Sequence, residues 1–184
     1  MLARRRRSQL LIVDVQERLA PHIHDHARVV ANCGRLIGYA RRLGVPITIT
    51  EHYPAGLGPT VAALAGLAGS ETPRLAKIEF PGWANPAIRQ RLSELRQAGR
   101  DQIVVAGMEA HVCVGQIVLE LIGADFDVLV VADAVSSRSA EVRELALARM
   151  SKAGATLVAH EMIAFEWLER GDTPEFKDLI GVIK

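Results

Sequence analysis

Cysteine is scarce in this chain: among 184 residues it has two, Cys33 and Cys113. Two thiols so far apart, with no C-x-x-C spacing, do not make a disulfide framework or a zinc or redox motif. Net charge is nearly absent too, with 22 basic against 21 acidic residues for a formal +1. Without a global field the chain is not expected to bind nucleic acid or an anionic membrane, and a small-molecule partner is expected instead. Aromatic residues make up only 4% of the sequence. There is no internal repeat, no low-complexity tract, and no run of about eighteen apolar residues to span a bilayer. The start, MLARRRRSQLLIVDVQ, has the basic run of a signal peptide, but Asp14 breaks the apolar stretch Leu10 to Val13 almost at once. The expectation is a cytoplasmic protein in a reducing compartment, with Arg4 to Arg7 in a solvated basic tail over residues 1–8.

Hydrophobic residues, at 49%, are sufficient for one sizeable core, and 1–184 reads as a single domain. Short β-branched runs recur: LLIVDV (10–15), PITIT (46–50), QIVVAG (102–107), DVLVVAD (127–133) and ATLVAH (155–160). Helical patterns lie between most of them, at 28–44, 85–99, 111–124 and 139–154. Strands that are apolar on both faces and alternate with helices predict a mainly parallel, Rossmann-like sheet inside a three-layer α/β/α sandwich. The segment 51–86, rich in Gly, Pro and Ala, reads as an elaborated loop with a short helix over the strand ends. Ligands in such folds bind beyond the carboxyl ends of the strands, which directs attention to the residues just after each run.

Three residues carry chemistry, two of them near strand ends and one, Lys77, in the covering segment. Asp14 would be expensive to bury unpaired, so it either caps the next turn or serves as a functional carboxylate. Cys113 stands at a predicted helix start, where free N–H groups and the helix dipole are expected to lower a thiol's pKa; the alternative is a small core residue. Lys77, with Glu79 close by, fits an ordinary surface ion pair, but a thiolate nucleophile also needs a proton acceptor and a cation. Cys33, inside a helical pattern, reads as packed.

The set LLIVDVQ, a lysine before EFPGW, GMEAHVCV and VVADAVSSR, together with TEHYPAGLGPT and EFKDLI, resembles the isochorismatase-like cysteine hydrolases over nearly the whole chain. It resembles especially the isochorismatase-domain branch of unassigned substrate. That resemblance implies a catalytic triad of Asp14, Lys77 and Cys113. Cys113 would attack a carbonyl carbon of a small amide, carbamoyl or related acyl compound to give a thioester. Asp14 would accept and return the proton, and Lys77 would stabilise the charged forms. The family also places a non-proline cis peptide between Met108 and Glu109 and an oxyanion hole at the N–H groups of Glu109 and Cys113. It further implies homo-oligomers and no cofactor.

Gln16, Tyr53, Phe80, Trp83, His111 and Val112 are read as the substrate pocket from their closeness to these motifs. Phe80 and Trp83 fit a core or subunit contact equally well. No metal is expected. Nicotinamidases of the superfamily use an Asp-x-His after the second strand, whereas here Thr50 precedes His52 with no clear second histidine. His22, His24 and His26 read as a solvated loop. The isochorismatases proper, which cleave a vinyl ether, lack a cysteine at the position of Cys113. A Cys–His pair using His111 or His52 ranks below Asp14, because a spacing of two near a helix start points His111 away from Cys113. The alternative functions are a non-catalytic, oligomeric binding protein that keeps the fold, or a metal-dependent nicotinamidase-like amidase.

Overall fold

The computed structural model describes residues 1–183. Among them, six strands form one parallel sheet: β1 (Ser8–Val13), β2 (Ile47–His52), β3 (Arg74–Lys77), β4 (Gln102–Met108), β5 (Asp127–Ser136) and β6 (Thr156–Val158). Their order is β3-β2-β1-β4-β5-β6. Alternation along each strand sends side chains to opposite faces. Leu10 and Ile12 join one core and Leu11 and Val13 the other.

The first core is covered by α1 (His26–Leu43), α3 (Ala62–Ala68), α7 (His160–Leu168) and α8 (Pro174–Ile183). The second is covered by α4 (Pro86–Gln97), α5 (Cys113–Gly123) and α6 (Ala140–Lys152). The short α2 (Pro54–Leu57) follows β2. Both faces of the sheet are therefore buried, which is why its strands are nearly continuous in apolar residues. The result is the three-layer sandwich expected from the sequence.

The strand order puts the site at the sheet's switch point. From β1 the chain winds outward through β2 to β3, then crosses back to β4 beside β1 and winds the other way through β5 to β6. At the carboxyl ends of β1 and β4 the connections diverge, leaving a crevice between them. Gly107 permits that closeness. It pairs with Val13 at φ +124°, and a Cβ there would stand 2.0 Å from the Val13 carbonyl oxygen.

Two sequence readings change. The 51–86 segment contains a full sheet strand, β3, as well as two helices. Arg4 to Arg7, read as part of a free tail over 1–8, instead form a turn tied to the amino edge of the sheet. Ser8 already belongs to β1, the Arg7 N–H donates to the Arg4 carbonyl at 2.8 Å, and Arg7 pairs with Asp101 at 2.7 Å and Asp127 at 3.0 Å. The reason is register: Ser8 lies opposite Gln102, and Gln102 opposite Asp127, so the residues that begin three adjacent strands meet.

Asn85 starts α4, its side chain accepting from the N–H groups of Ala87 and Ile88 and donating to Glu79 at 3.1 Å. Asn85→Ala is expected to lower stability by about 1 kcal/mol, the usual worth of such a cap. Urea denaturation would measure it as a shift in midpoint with unchanged slope.

Candidate active site

Asp14 follows β1 with φ +52°, a left-handed conformation that Asp tolerates better than most residues. That twist is fixed by its N–H, which donates to the Thr50 carbonyl at 3.1 Å, and by its carbonyl, which accepts from Gln16 at 2.9 Å. The carboxylate is 0% exposed, and the Thr50 hydroxyl donates to Oδ1 at 2.6 Å. At the end of β3, Lys77 extends its ammonium to 2.6 Å from Asp14 Oδ2 and 3.3 Å from Cys113 Sγ, and donates to the Glu79 carbonyl at 3.2 Å. Cys113, the first residue of α5, is 6% exposed. Burial of either charge alone would cost several kcal/mol, and their contact offsets that cost. The three residues singled out in the sequence thus meet at the crevice between β1 and β4.

The thiol's acidity runs against the sequence expectation. Burial first, and then the negative charge of Asp14, push the Cys113 pKa up to about 12, with Lys77 opposing them. A thiol held that high rests in its protonated form, so its use as a nucleophile would require a base to take the proton.

A titration follows from this. Since Asp14 disfavours the thiolate, Asp14→Asn is expected to move the pH dependence of Cys113 alkylation by iodoacetamide to lower pH. In the unsubstituted chain the rate is expected to keep rising beyond pH 9. Peptide mass spectrometry can follow both profiles, with Cys33 as an internal reference. That residue is fully buried and its thiol is likewise held above the ordinary range by burial.

The peptide between Met108 and Glu109 is cis. In the turn after it, the Ala110 N–H donates to Ser136 at 2.8 Å, and those of Val112 and Val114 donate to the Glu109 carbonyl at 3.0 and 3.2 Å. The N–H groups of Glu109 and Cys113 have no such partner among the described residues.

The remaining sequence-assigned residues divide. Gln16 is fully buried, and its amide bonds the backbone of His52 and Gly58, so it braces the loop after β2. Trp83 packs edge-on against Phe126 at 5.5 Å in the second core, the other role open to it. Tyr53 and Phe80 are half exposed at the strand ends, and Phe80 stacks on His52 at 5.0 Å. Val112 precedes α5 and packs against the same core as Trp83.

His111 Nδ1 meets the Ser137 hydroxyl at 3.0 Å. His52 stands opposite Lys77 in register, and its pKa is lowered by burial and then by the Lys77 charge. His22, His24 and His26 are exposed, and among the described residues no three His, Cys, Asp or Glu side chains converge as a metal site. Thr50, at the place of a nicotinamidase's first metal ligand, is bonded to Asp14. Sequence reasoning assigned Thr50 no part in the site. Its signal was register, since it pairs with Val13, the residue before Asp14.

No helix of the described residues is long and apolar enough to cross a membrane. The family model described as "Isochorismatase domain" matches residues 8–162. Isochorismatase domain-containing protein 1 of Danio rerio is 36% identical over 175 residues, which are 93% of this chain but only 59% of that protein. Among solved structures, the MAR1 ribonuclease of Caenorhabditis elegans superposes with a TM-score of 0.92 at 34% identity, covering 100% of this chain and 92% of that one. The YcaC gene product of Escherichia coli, described as an octameric hydrolase of unknown specificity, has a TM-score of 0.90 at 26% identity, covering 99% and 90%.

Proposed function

The chain belongs to the isochorismatase-domain hydrolase family, and from that premise we propose that it is a metal-independent cysteine hydrolase of small acyl compounds, cleaving a C–N bond of an amide or carbamoyl group. The observation that carries this reading is the contact of three groups in one crevice, with the Lys77 ammonium 2.6 Å from Asp14 and 3.3 Å from the Cys113 sulfur. A nucleophile, a base and a fixed cation within one another's reach are the parts that covalent acyl transfer needs.

In the first step Cys113 Sγ attacks the substrate carbonyl carbon while Asp14 accepts the thiol proton. Negative charge gathers on the carbonyl oxygen, where the N–H groups of Glu109 and Cys113 are free to donate. Collapse of the tetrahedral intermediate breaks the C–N bond, and Asp14 returns the proton to the leaving nitrogen. A water deprotonated by Asp14 then attacks the thioester, releasing the acid and restoring the thiol. Lys77, 2.6 Å from Asp14 and 3.3 Å from the sulfur, is placed to stabilise the sulfur when that atom carries negative charge.

By the likeness to an octameric relative, the working form is proposed to be a homo-oligomer, and the two free cysteines fit a reducing cytoplasm. The functional test is a panel of small amides and carbamoyl compounds assayed for ammonia release, with intact-mass detection of the acyl adduct and H₂¹⁸O as solvent. Expected are a mass increase located on Cys113 and one ¹⁸O in the product acid. Turnover with no adduct at Cys113 under rapid quenching, and with Cys113→Ala equally active, would refute the mechanism.

A further inference from the structure

The turn that presents Cys113 is held by three consecutive residues at the end of β5. The Ala110 N–H donates to the Ser136 carbonyl at 2.8 Å, His111 meets the Ser137 hydroxyl at 3.0 Å, and Arg138 grips the Glu109 carboxylate with Nε at 2.9 Å and Nη2 at 3.4 Å. Ser136 and Ser137 are fully buried and are themselves braced from behind. The Ser136 hydroxyl donates to the His24 carbonyl at 2.6 Å, and the His24 N–H donates to the Ser137 carbonyl at 2.8 Å. Arg138 differs from both, with a side chain 69% exposed, while that of Glu109 is 9% exposed.

A buried carboxylate on this turn needs a reason, because on the mechanism proposed above it sits on a residue whose N–H would donate to a developing negative charge. Left alone, it would repel the oxyanion and would itself lack a cation. Arg138 removes both difficulties by cancelling the charge and by pinning the side chain of the residue that offers the N–H. Resting on the hydrolase reading above, we infer that Arg138 is a positioning residue for the oxyanion turn, acting through Glu109 and touching neither substrate nor sulfur.

This role separates two reactions of the same thiol. Acylation by p-nitrophenyl acetate passes through an oxyanion: sulfur bonds to the carbonyl carbon, the C–O bond breaks, p-nitrophenolate leaves and the thiol proton goes to Asp14. Alkylation by iodoacetamide displaces iodide from a saturated carbon and forms no oxyanion. In Arg138→Ala the acylation rate of Cys113 is expected to fall about 10- to 100-fold, the scale of a small misplacement of a reacting group. Alkylation at the same pH is expected to change less than about twofold on that view, since an interaction made only at the oxyanion leaves other reactions alone. Arg138→Lys should recover part of the acylation rate. In a Glu109→Gln background, which keeps the shape and removes the charge, Arg138→Ala should cost less than about threefold, because coupled residues give non-additive effects.

Equal losses in both reactions would overturn the inference, as they would mean a general effect on the thiol or the fold. Unchanged acylation in Arg138→Ala, or full additivity with Glu109→Gln, would overturn it as well. A parent chain that alkylates at Cys113 yet never acylates would refute the hydrolase reading itself, a failure seen before any variant is made.

Discussion

Cys113→Ala is expected to abolish hydrolysis, lowering kcat/KM on any substrate identified by on the order of 10³-fold or more, as loss of the nucleophile does in enzymes that work through an acyl intermediate. The physical reason is that nothing else in the crevice can form the covalent bond: Asp14 is committed to Thr50 and Lys77, and Lys77 is an ammonium in contact with that carboxylate. Stability should hardly change, because the substitution removes one sulfur from a position at the edge of the second core and leaves the buried ion pair intact. Cys33→Ala is the matched control. That residue lies in the other core, across the sheet, with its thiol weakly bonded to the Ala134 carbonyl at 3.7 Å, so it should leave kcat/KM within a few-fold of the parent. The assay is steady-state kinetics beside thermal melting. If Cys113→Ala retains turnover, the chemistry does not run through a thioester.

Asp14→Asn should damage both the fold and the reaction, and a second substitution can separate the two effects. The Lys77 side chain is 1% exposed, and its ammonium has the Asp14 carboxylate as its ion-pair partner. Removal of that carboxylate's charge strands a buried cation, a change expected to cost about 3–5 kcal/mol. Lys77→Met alone strands the carboxylate in turn, though the Thr50 hydroxyl still donates to it. The double variant Asp14→Asn/Lys77→Met removes both charges together, and its loss of stability should be well below the sum of the two single losses.

Activity should not follow stability in this series. Without a base, turnover is expected to fall about 10²- to 10⁴-fold in Asp14→Asn, and the double variant should recover stability while remaining inactive. Denaturant midpoints read with turnover measurements give the answer. Additive destabilisation in the double variant would mean that the two charges are not held as a pair.

Much of the site was legible in the sequence because two of its residues break local patterns. Asp14 is a carboxylate at the end of a continuous apolar run, and Cys113 follows QIVVAG just where a helical pattern begins; both positions fall at strand ends, where parallel sheets bind ligands. Lys77 breaks no pattern. Its strand is four residues long, half-exposed over most of its length and set in a loop-like segment, so neither period nor hydropathy marks it as part of a sheet. The resemblance singled it out, and the pairing of β3 with β2 carries it to the crevice.

Other features depend on distances that local sequence does not encode. The Cys113 thiol was expected to be acidic from its place at a helix start, yet depth of burial and the Asp14 charge raise its pKa instead. Gln16 stands beside the motif residue Asp14, but its amide is spent on the loop after β2. The grip of Arg138 on Glu109 joins the ends of two different strands, and neither residue's neighbours in sequence announce it.

What the sequence determined by itself was the alternation of buried strands with helices, hence the sandwich, and the identity of the groups able to do chemistry. That follows because hydrophobic period and residue type are local properties. Tertiary structure alone decided which of those groups touch, which way the thiol's pKa is pushed, and which strand ends are tied together. Each of these is set by contacts between segments that the order of strands brings together.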